Sequence, residues 1–511
     1  MAKYNTKTKA VTPIVTNHQG GDGFKYDPKT ELVAILATGL ENKYYEKEGE
    51  REKRLSQVIA EVAKKDKLFA AKALIYARTV MGQRTVTHFG AVELAKVLSG
   101  DKLGARFFSK RSRKANAGGI IYRLDDMLEI ASCYMARNPG KPLSNAIKKG
   151  FKLALENADT YELAKYQASN RDLSLVDIVN LVHPKPSKEM ASTFAKLMKG
   201  ELKQFNTVED KNTKAGQEVA LHVKEGRMTK AEAEVVLAEA KEDNYAELIE
   251  TRKIGYLALI RNLRNILKTG AKAELIKSAC DLLIDEKMIK KSLVFPHQID
   301  LALEIMLDEF GTKATPFVKA LNTAYELAIP NLTELFTNGK TAVVFDSSGS
   351  MSTSIRLSNN KSGSEAAIAK AALIAATLAK GINADVYHFA DRCASISYNP
   401  LDSVNTLKKQ FIAKQGSVGY GTNFGDIFSK LGKGYTRVFI ISDMQSGHGI
   451  VGKEGNSHIY AIDITGYGTT SIKPGSKVYQ LFGYSADIYE LIRKVEMDPK
   501  ALFKAIEAIE I

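Results

Sequence analysis

The sequence predicts a chain in two parts. A mainly α-helical portion of stacked hairpins comes first, and an α/β unit on a mainly parallel sheet follows. Three observations carry this. Apolar residues recur at three- and four-residue steps from about residue 28 to about residue 335. At Lys340 the texture changes to short, β-rich apolar runs. Those runs then alternate with helical stretches, the pattern of a parallel sheet covered by helices on both faces.

In chain order, residues 1–25 are polar and glycine-containing ("NHQGGDGF"), and read as a flexible N-terminal arm. Helical segments follow, among them "LSQVIAEVAKKDKLFAAKALIYARTV", "LSNAIKKGFKLALEN" and "YLALIRNLRNILKTGA". They break at proline and glycine clusters, "NPGKP", "HPKPS", "LVFPHQ" and "AIPNL". No strict repeat is visible, but hairpins too thin to bury their own faces would stack as an irregular solenoid. Residues 187–250 are the most charged stretch ("VEDKNTKAGQEVALHVKEGRMTKAEAEVVLAEAKEDN" in part), and read as solvated helices projecting from the body. From residue 339 the strands are "TAVVFD", "ADVYHFA", "TRVFIIS" and "SHIYAID", with helices "EAAIAKAALIAATLAK" and "SVNTLKKQFIAK" between them. Three units result: the arm at 1–25, the helical part at 26–338 and the α/β unit at 339–511.

Composition narrows the function. Hydrophobic residues make up 44% and charged residues 26% of the chain, ordinary for a globular protein. Net charge is +15, of which residues 340–511 carry +4 and the remaining 339 residues +11. A basic excess of this size favours a polyanionic partner through phosphate contacts and counterion release. No apolar run approaches the roughly 18 residues of a membrane span, and "MAKYNTKTKAVTP" lacks the apolar core of a secretory signal. Cys133, Cys280 and Cys393 are odd in number and far apart. They are expected as buried small hydrophobes, in the reducing cytoplasm.

Strands of a parallel sheet present ligands at their carboxyl ends. Asp346 ends the first strand and Asp443 follows "RVFIIS", so both carboxylates are expected at one edge. Asp346, Ser348 and Ser350 share a tight loop that Gly349 lets turn. "GYGTNFGD" adds Thr422. All five are hard oxygen donors, which suits a small octahedral cation that keeps some water, Mg²⁺ before Ca²⁺ and well before zinc. Asp-x-Ser-x-Ser after an apolar strand, then a Gly-Thr loop, then a strand ending in Asp, resembles the von Willebrand factor A domain. Its metal-ion-dependent adhesion site would be Asp346, Ser348, Ser350, Thr422 and Asp443. An enzymatic alternative, with Ser347, Ser348 or Ser350 as nucleophile and His388 or His448 as base, lacks a Gly-x-Ser-x-Gly elbow. His388, inside "VYHFA", reads as a packed or hydrogen-bonded histidine.

An A-type domain behind a basic helical solenoid resembles the Ro autoantigen family, the TROVE-domain proteins. "NKYYEKEGERE", "KYQASNRDLSLVDIVNLVHPKPS" and "KIGYLALIRNLRNIL" are similar to that family's segments. The resemblance implies a ring of HEAT-like helical repeats closed by the A domain, and no enzymatic activity. It implies a basic central hole taking single-stranded 3′ ends of misfolded or structured noncoding RNA, and an outer surface binding Y or Y-like RNA. It also implies an exoribonuclease as a working partner in bacterial relatives. Lys165, Arg171 and His183 fall in the segment that, by resemblance, faces the outer RNA. His183 precedes Pro184 and is expected extended.

Other RNA candidates rest on charge and spacing. Arg261, Asn262, Arg264 and Asn265 lie on one helix, with 261 sharing a face with 264 and 265. Arginine forks match phosphate oxygens, and Asn can bond phosphate or a base edge. The other use for these four residues is to lock neighbouring helices together. Arg111, Arg113 and Lys114 form the densest basic run, and Arg78 and Arg84 flank "TVMGQ". The expected protein is thus a monomeric RNA-binding ring that captures RNA electrostatically. The rival readings are a metal-dependent protein-binding scaffold, in which the A domain is the main surface, and a metal-dependent hydrolase.

Overall fold

The computed structural model describes residues 14–511, apart from 41–43, 48, 113, 168–172, 203–207, 293, 295, 329–338, 353, 357–363, 450, 453–456 and 485–486. The helical part runs α1 (Pro28–Thr38), α2 (Glu50–Thr79), α3 (Thr85–Val97), α4 (Lys102–Phe107), α5 (Asp125–Arg137), α6 (Asn145–Glu156), α7 (Thr160–Tyr166) and α8 (Leu175–Val182). It continues through α9 (Ala191–Met198), α10 (Val208–Lys224), α11 (Lys230–Glu250), α12 (Tyr256–Lys268), α13 (Ala273–Leu283), α14 (Glu286–Ser292), α15 (Pro296–Phe310) and α16 (Thr315–Ala328). Strands β1 (Ile14–Thr16) and β2 (Asp22–Lys25) precede these helices, and a small hairpin, β3 (Arg111–Ser112) and β4 (Ala117–Gly118), interrupts them.

Local chemistry sets the helix ends. Asp27 accepts from the backbone N–H groups of Lys29 and Thr30 at the start of α1, with Pro28 in the first turn. Capping boxes open α7 (Asp159 and Glu162), α8 (Ser174 and Asp177) and α11 (Thr229 and Glu232). In α2, Asp66 takes φ −153°, ψ 79°, and its carboxylate accepts from Phe69 N–H at 2.9 Å. A cap in mid-sequence therefore kinks what the periodicity presents as one helix. In α12, Tyr256, Leu259, Ile260, Leu263 and Ile266 are buried. Burying each stabilises by about 1.5–3 kcal/mol, so this face fixes which residues are left outside.

The α/β unit contains β5 (Lys340–Asp346), the hairpin β6 (Ser354–Arg356) and β7 (Ser364–Ala366), α17 (Ala367–Ile382), β8 (Asp385–Phe389) and β9 (Cys393–Ile396). It continues with α18 (Val404–Ile412), α19 (Phe424–Leu431), β10 (Tyr435–Ser442), β11 (His458–Asp463), β12 (Thr469–Thr470), β13 (Val478–Phe482), α20 (Asp487–Val495) and α21 (Ala501–Glu507). The main sheet has the order β13-β11-β10-β5-β8-β9, parallel except for β9 against β8. The register pairs Ile441 with Phe345 and Ser442 with Asp463, so the carboxyl ends of β5, β10 and β11 align.

The helical part meets the α/β unit at two seams. At the first, β1 and β2 join β12 in a three-stranded antiparallel sheet. Part of the segment expected as a flexible arm is thus built into a sheet, and residues 1–13 lie outside the described residues. The buried Arg51 donates to Thr465 O at 2.5 Å, Arg54 donates to Gly466 O at 2.7 Å, and Phe69 stacks on Phe503. At the second seam, Lys408 donates to Asp300 at 2.7 Å and Glu304 at 2.6 Å, and Tyr325 bonds Thr377 at 3.0 Å. Both ends of the helical part therefore contact the α/β unit. The highly charged α10 and α11 pack as a pair and anchor through Tyr245, Leu248 and Ile249. No helix of the described residues is long and apolar enough to cross a membrane. Cys393 is buried as expected, but Cys133 and Cys280 are only half-buried, at the margin of the core.

Candidate metal centre and nucleic-acid surface

The strand-to-loop turns of β5 and β10 bring the five oxygen donors together. Asp346, Ser348 and Thr422 are at most 1% exposed, Asp443 is 1% exposed and Ser350 7%. One Asp346 oxygen accepts from Ser348 N–H at 2.8 Å and the other from Ser442 Oγ at 2.6 Å. Ser348 and Ser350 hydroxyls lie 3.2 Å apart. Asp443 Oδ1 accepts from Gln445 N–H at 3.1 Å, while Asp443 Oδ2 is buried without a hydrogen-bond partner. Burial raises both carboxyls above the usual range, and the charge of Asp346 raises Asp443 further. A buried carboxylate oxygen with no donor is costly unless a cation meets it. The residues therefore fit a small divalent cation: two carboxylates, three hydroxyls and an unmet lone pair. Among the described residues no cluster of three His, Cys, Asp or Glu side chains is placed to hold a metal.

Sequence reasoning missed a third acid at the same edge. Asp463, 1% exposed, accepts from Thr465 and Gly466 N–H at 3.0 and 2.8 Å and from Tyr26 OH at 3.1 Å. Its signal was present, since "HIYAID" ends in Asp as β5 does. His388 is buried beside Ser347, Nδ1 to Oγ 3.0 Å, and burial with the nearby Lys414 pushes its pKa down to about 4. Ser347 is itself fully buried. A nucleophile must be reached by substrate, so this pair reads as packing.

The basic candidates scatter. Arg78 is 7% exposed and forks onto Asp126 at 2.9 and 3.1 Å, and His88 Nε2 lies 3.1 Å from the same carboxylate. Arg84 bonds Asp125 at 2.5 Å. Arg111 is 2% exposed and donates to Gly118 O, Glu510 O and Asn116 O. Arg78 and Arg111 are thus corrected from surface phosphate contacts to internal ties, because both are buried, with Arg78 held on Asp126 and the two terminal nitrogens of Arg111 already donating to carbonyls. Arg113 and Arg171 lie outside the described residues.

Lys114 and Lys165 are exposed, and they line a cavity of about 660 Å³ with Lys110, Arg111, Arg123, Tyr161 and Tyr166 and the acids Asp159 and Glu162. The Lys165 ammonium sits over both tyrosine rings, at 5.6 and 5.8 Å, and Arg123 over Tyr166 at 5.6 Å. His183 is exposed but left-handed, φ 47°, ψ 65°, not extended as expected. Its N–H donates to Val179 O at 2.9 Å, so it caps α8 at a position where the following proline excludes another helical turn. On α12, Arg261 is exposed and has no ion-pair partner among the described residues, whereas Arg264 bonds Glu309 of α15 at 2.8 Å. Asn262 accepts from Tyr245 OH of α11 at 2.9 Å and from Asn265 at 3.0 Å. Three of the four motif residues therefore take part in ties on or between helices.

Residues 213–348, from within α10 to the loop after β5, match the family model described as the TROVE domain. No curated protein matches the chain. A solved structure, that of the Ro (RSR) protein of Deinococcus radiodurans, is similar at 13% identity and a TM-score of 0.49, over 92% of this chain and 99% of that one. No residue assignment rests on a likeness that loose. The family match is thus confined to residues 213–348, and it is this segment that is similar to the TROVE domain.

Proposed function

We propose that this chain is a non-enzymatic RNA-binding protein of the Ro type. It works as a monomeric ring in the cytoplasm, where it captures structured or misfolded noncoding RNA. The observation that carries the reading is the Lys114–Lys165 cavity. Two ammonium groups with no ion-pair partner among the described residues line it beside two tyrosine rings, which joins phosphate attraction to a stacking surface. The two seams support the ring, since both ends of the helical part meet the α/β unit. In this reading Lys114, Lys165 and His183 meet RNA on the outside, a Y or Y-like RNA among the candidates. Arg261 meets phosphates from α12, and single-stranded 3′ ends enter the hole. An exoribonuclease is the partner that would consume such ends. The metal is Mg²⁺, held by Asp346, Ser348, Ser350, Thr422 and Asp443. It would supply positive charge to the three buried acids of the sheet edge.

The test is a titration of an RNA with a duplex body and a single-stranded 3′ tail, across a salt series, with and without EDTA. Tight binding that needs the tail and weakens steeply with salt supports the reading. Absence of binding at low salt overturns it. The unmet oxygen of Asp443 favours one second reading, a metal-dependent protein scaffold, whose contacts would collapse with chelator rather than with salt.

A further inference from the structure

The approach to the metal centre is occupied by the chain itself. The loop between β1 and β2 lies across the carboxyl edge of the sheet. Gln19 Nε2 donates to Thr422 Oγ1 at 3.0 Å, and Gly447 N–H donates to Gln19 Oε1 at 2.9 Å. His18 N–H donates to Gln445 Oε1 at 3.1 Å, and Asn17 Nδ2 to Ser446 O at 2.8 Å. The backbones press together, since a Cβ on Gly21 would lie 2.3 Å from Ser446 O and 2.9 Å from Gly449 N. Tyr45, from the segment between α1 and α2, comes close to Gln19 and Ser350, and its N–H donates to Tyr467 OH at 3.4 Å. Its ring stacks with His18 at 5.7 Å, and His18 packs on Tyr467 at 5.0 Å. Of the five donors, Thr422 is thus touched directly by Gln19, Ser350 lies near Tyr45, and Asp443 is reached through Gln445, whose N–H it accepts.

We propose that the metal centre is a clasp for the first seam. Cation binding orders the loops that follow β5 and β10 and the Thr422 loop. Those loops hold residues 17–19 and Tyr45, so the cation and the N-terminal hairpin stabilise each other. The inference rests on the metal reading and departs from an adhesion site, because the direction from which an outside acidic side chain would arrive is roofed. Coupling of this kind is reciprocal: if Mg²⁺ tightens the hairpin, the docked hairpin tightens Mg²⁺ by the same factor.

The experiment uses the full chain with MgCl₂ or EDTA and no RNA, so it stands apart from the RNA reading. Hydrogen exchange is followed in peptides covering residues 14–25, and Mg²⁺ binding by calorimetry. Exchange in 14–25 is expected to slow about tenfold or more in Mg²⁺, the size of a coupling between about 1 and 3 kcal/mol. In Gln19→Ala the slowing shrinks, and Mg²⁺ binds more weakly by a matching factor. Heat of binding with unchanged exchange overturns the clasp while leaving the metal reading intact. No heat of binding overturns both. An acidic peptide that binds the Mg²⁺-loaded protein without speeding exchange in 14–25 also overturns the clasp.

Discussion

Two regions of this molecule bury acidic side chains, and they handle the charge in opposite ways. At the junction of α2, α3 and α5, Asp126 is fully buried among Arg78, Arg84 and His88 and also accepts from Tyr122 and Arg123 N–H. At the sheet edge, Asp346, Asp443 and Asp463 are equally buried, but only hydroxyls and N–H groups meet Asp346 and Asp443, and Asp443 keeps one oxygen unmet. Burial pushes the Asp126 carboxyl up, yet His88 and Arg78 outweigh it and hold the carboxyl well below the usual range. Burial pushes Asp346 and Asp443 up, and the hydrogen bonds that lower them, from Ser348 and Ser442 and from Ser350 and Gln445, do not outweigh it. A region that carries its own counter-charge is finished by folding. A region that lacks it is finished by a ligand.

The largest effect should come from breaking the self-compensated junction. Asp126→Ala leaves Arg78, Arg84 and His88 facing one another in a dry site, and is expected to cost about 3–5 kcal/mol in urea unfolding. The junction also sets a pH dependence. A carboxyl held low in the folded state contributes stability that is present above its unfolded value of about 4 and is lost as pH falls below it. Urea midpoints measured from pH 7 down to pH 3 should fall in wild type, and the part due to Asp126 should vanish in Asp126→Asn. A wild-type midpoint flat over that range would show that the junction does not hold its charge as the contacts indicate.

The next effect sharpens the other half of the comparison. Mg²⁺ at about one hundred times its dissociation constant should raise stability by about 2.7 kcal/mol, read as a thermal shift against EDTA. Asp443→Asn should abolish that gain. It should leave the metal-free protein no less stable, because it removes a buried acid that no cationic side chain is shown to answer and whose Oδ2 has no hydrogen-bond partner. A Mg²⁺ shift that survives Asp443→Asn would mean that the cation sits elsewhere.

What was readable in advance follows the same division. The five oxygen donors were legible because strand order forces the ends of β5 and β10 together, and the types Asp, Ser and Thr have few other uses at a buried strand end. The change at Lys340 from helical to strand periodicity was legible because each residue votes for one period. Arginine is a poorer witness. Arg78 and Arg111 read as surface charge, but their partners, Asp126 and the carbonyl of Glu510, are 48 and 399 positions away, and no local pattern announces a pairing at that range. The roof over the metal centre was hidden for the same reason. Gln19 meets Thr422 across 403 positions, and "NHQGGDGF" by itself looks like a tail. The left-handed His183 shows a further limit, since the proline rule excludes the helical region without choosing between the alternatives.

The smallest predicted effect is the one that separates the basic residues by destination. Lys114, Lys165 and Arg261 face solvent without an ion-pair partner among the described residues, whereas Arg111 is sealed against three carbonyls. If the exposed three meet phosphates, each alanine substitution should weaken RNA binding a few-fold. It should also lower the slope of log affinity against log salt by about one. The folded protein should be unchanged, because a solvated ammonium holds little together. Arg111→Ala should do the reverse. It removes a buried tie between the β3–β4 hairpin and the C-terminal residues, so the thermal midpoint should drop while the salt slope of the remaining folded protein stays put. Arg264→Ala, which loses a bond to Glu309 at a partly exposed site, should move both readouts slightly. A salt slope that falls equally for Arg111 and Lys165 would mean that phosphate capture does not follow exposure, and one that does not fall for Lys114 or Lys165 would cost their cavity its claim to be the RNA surface.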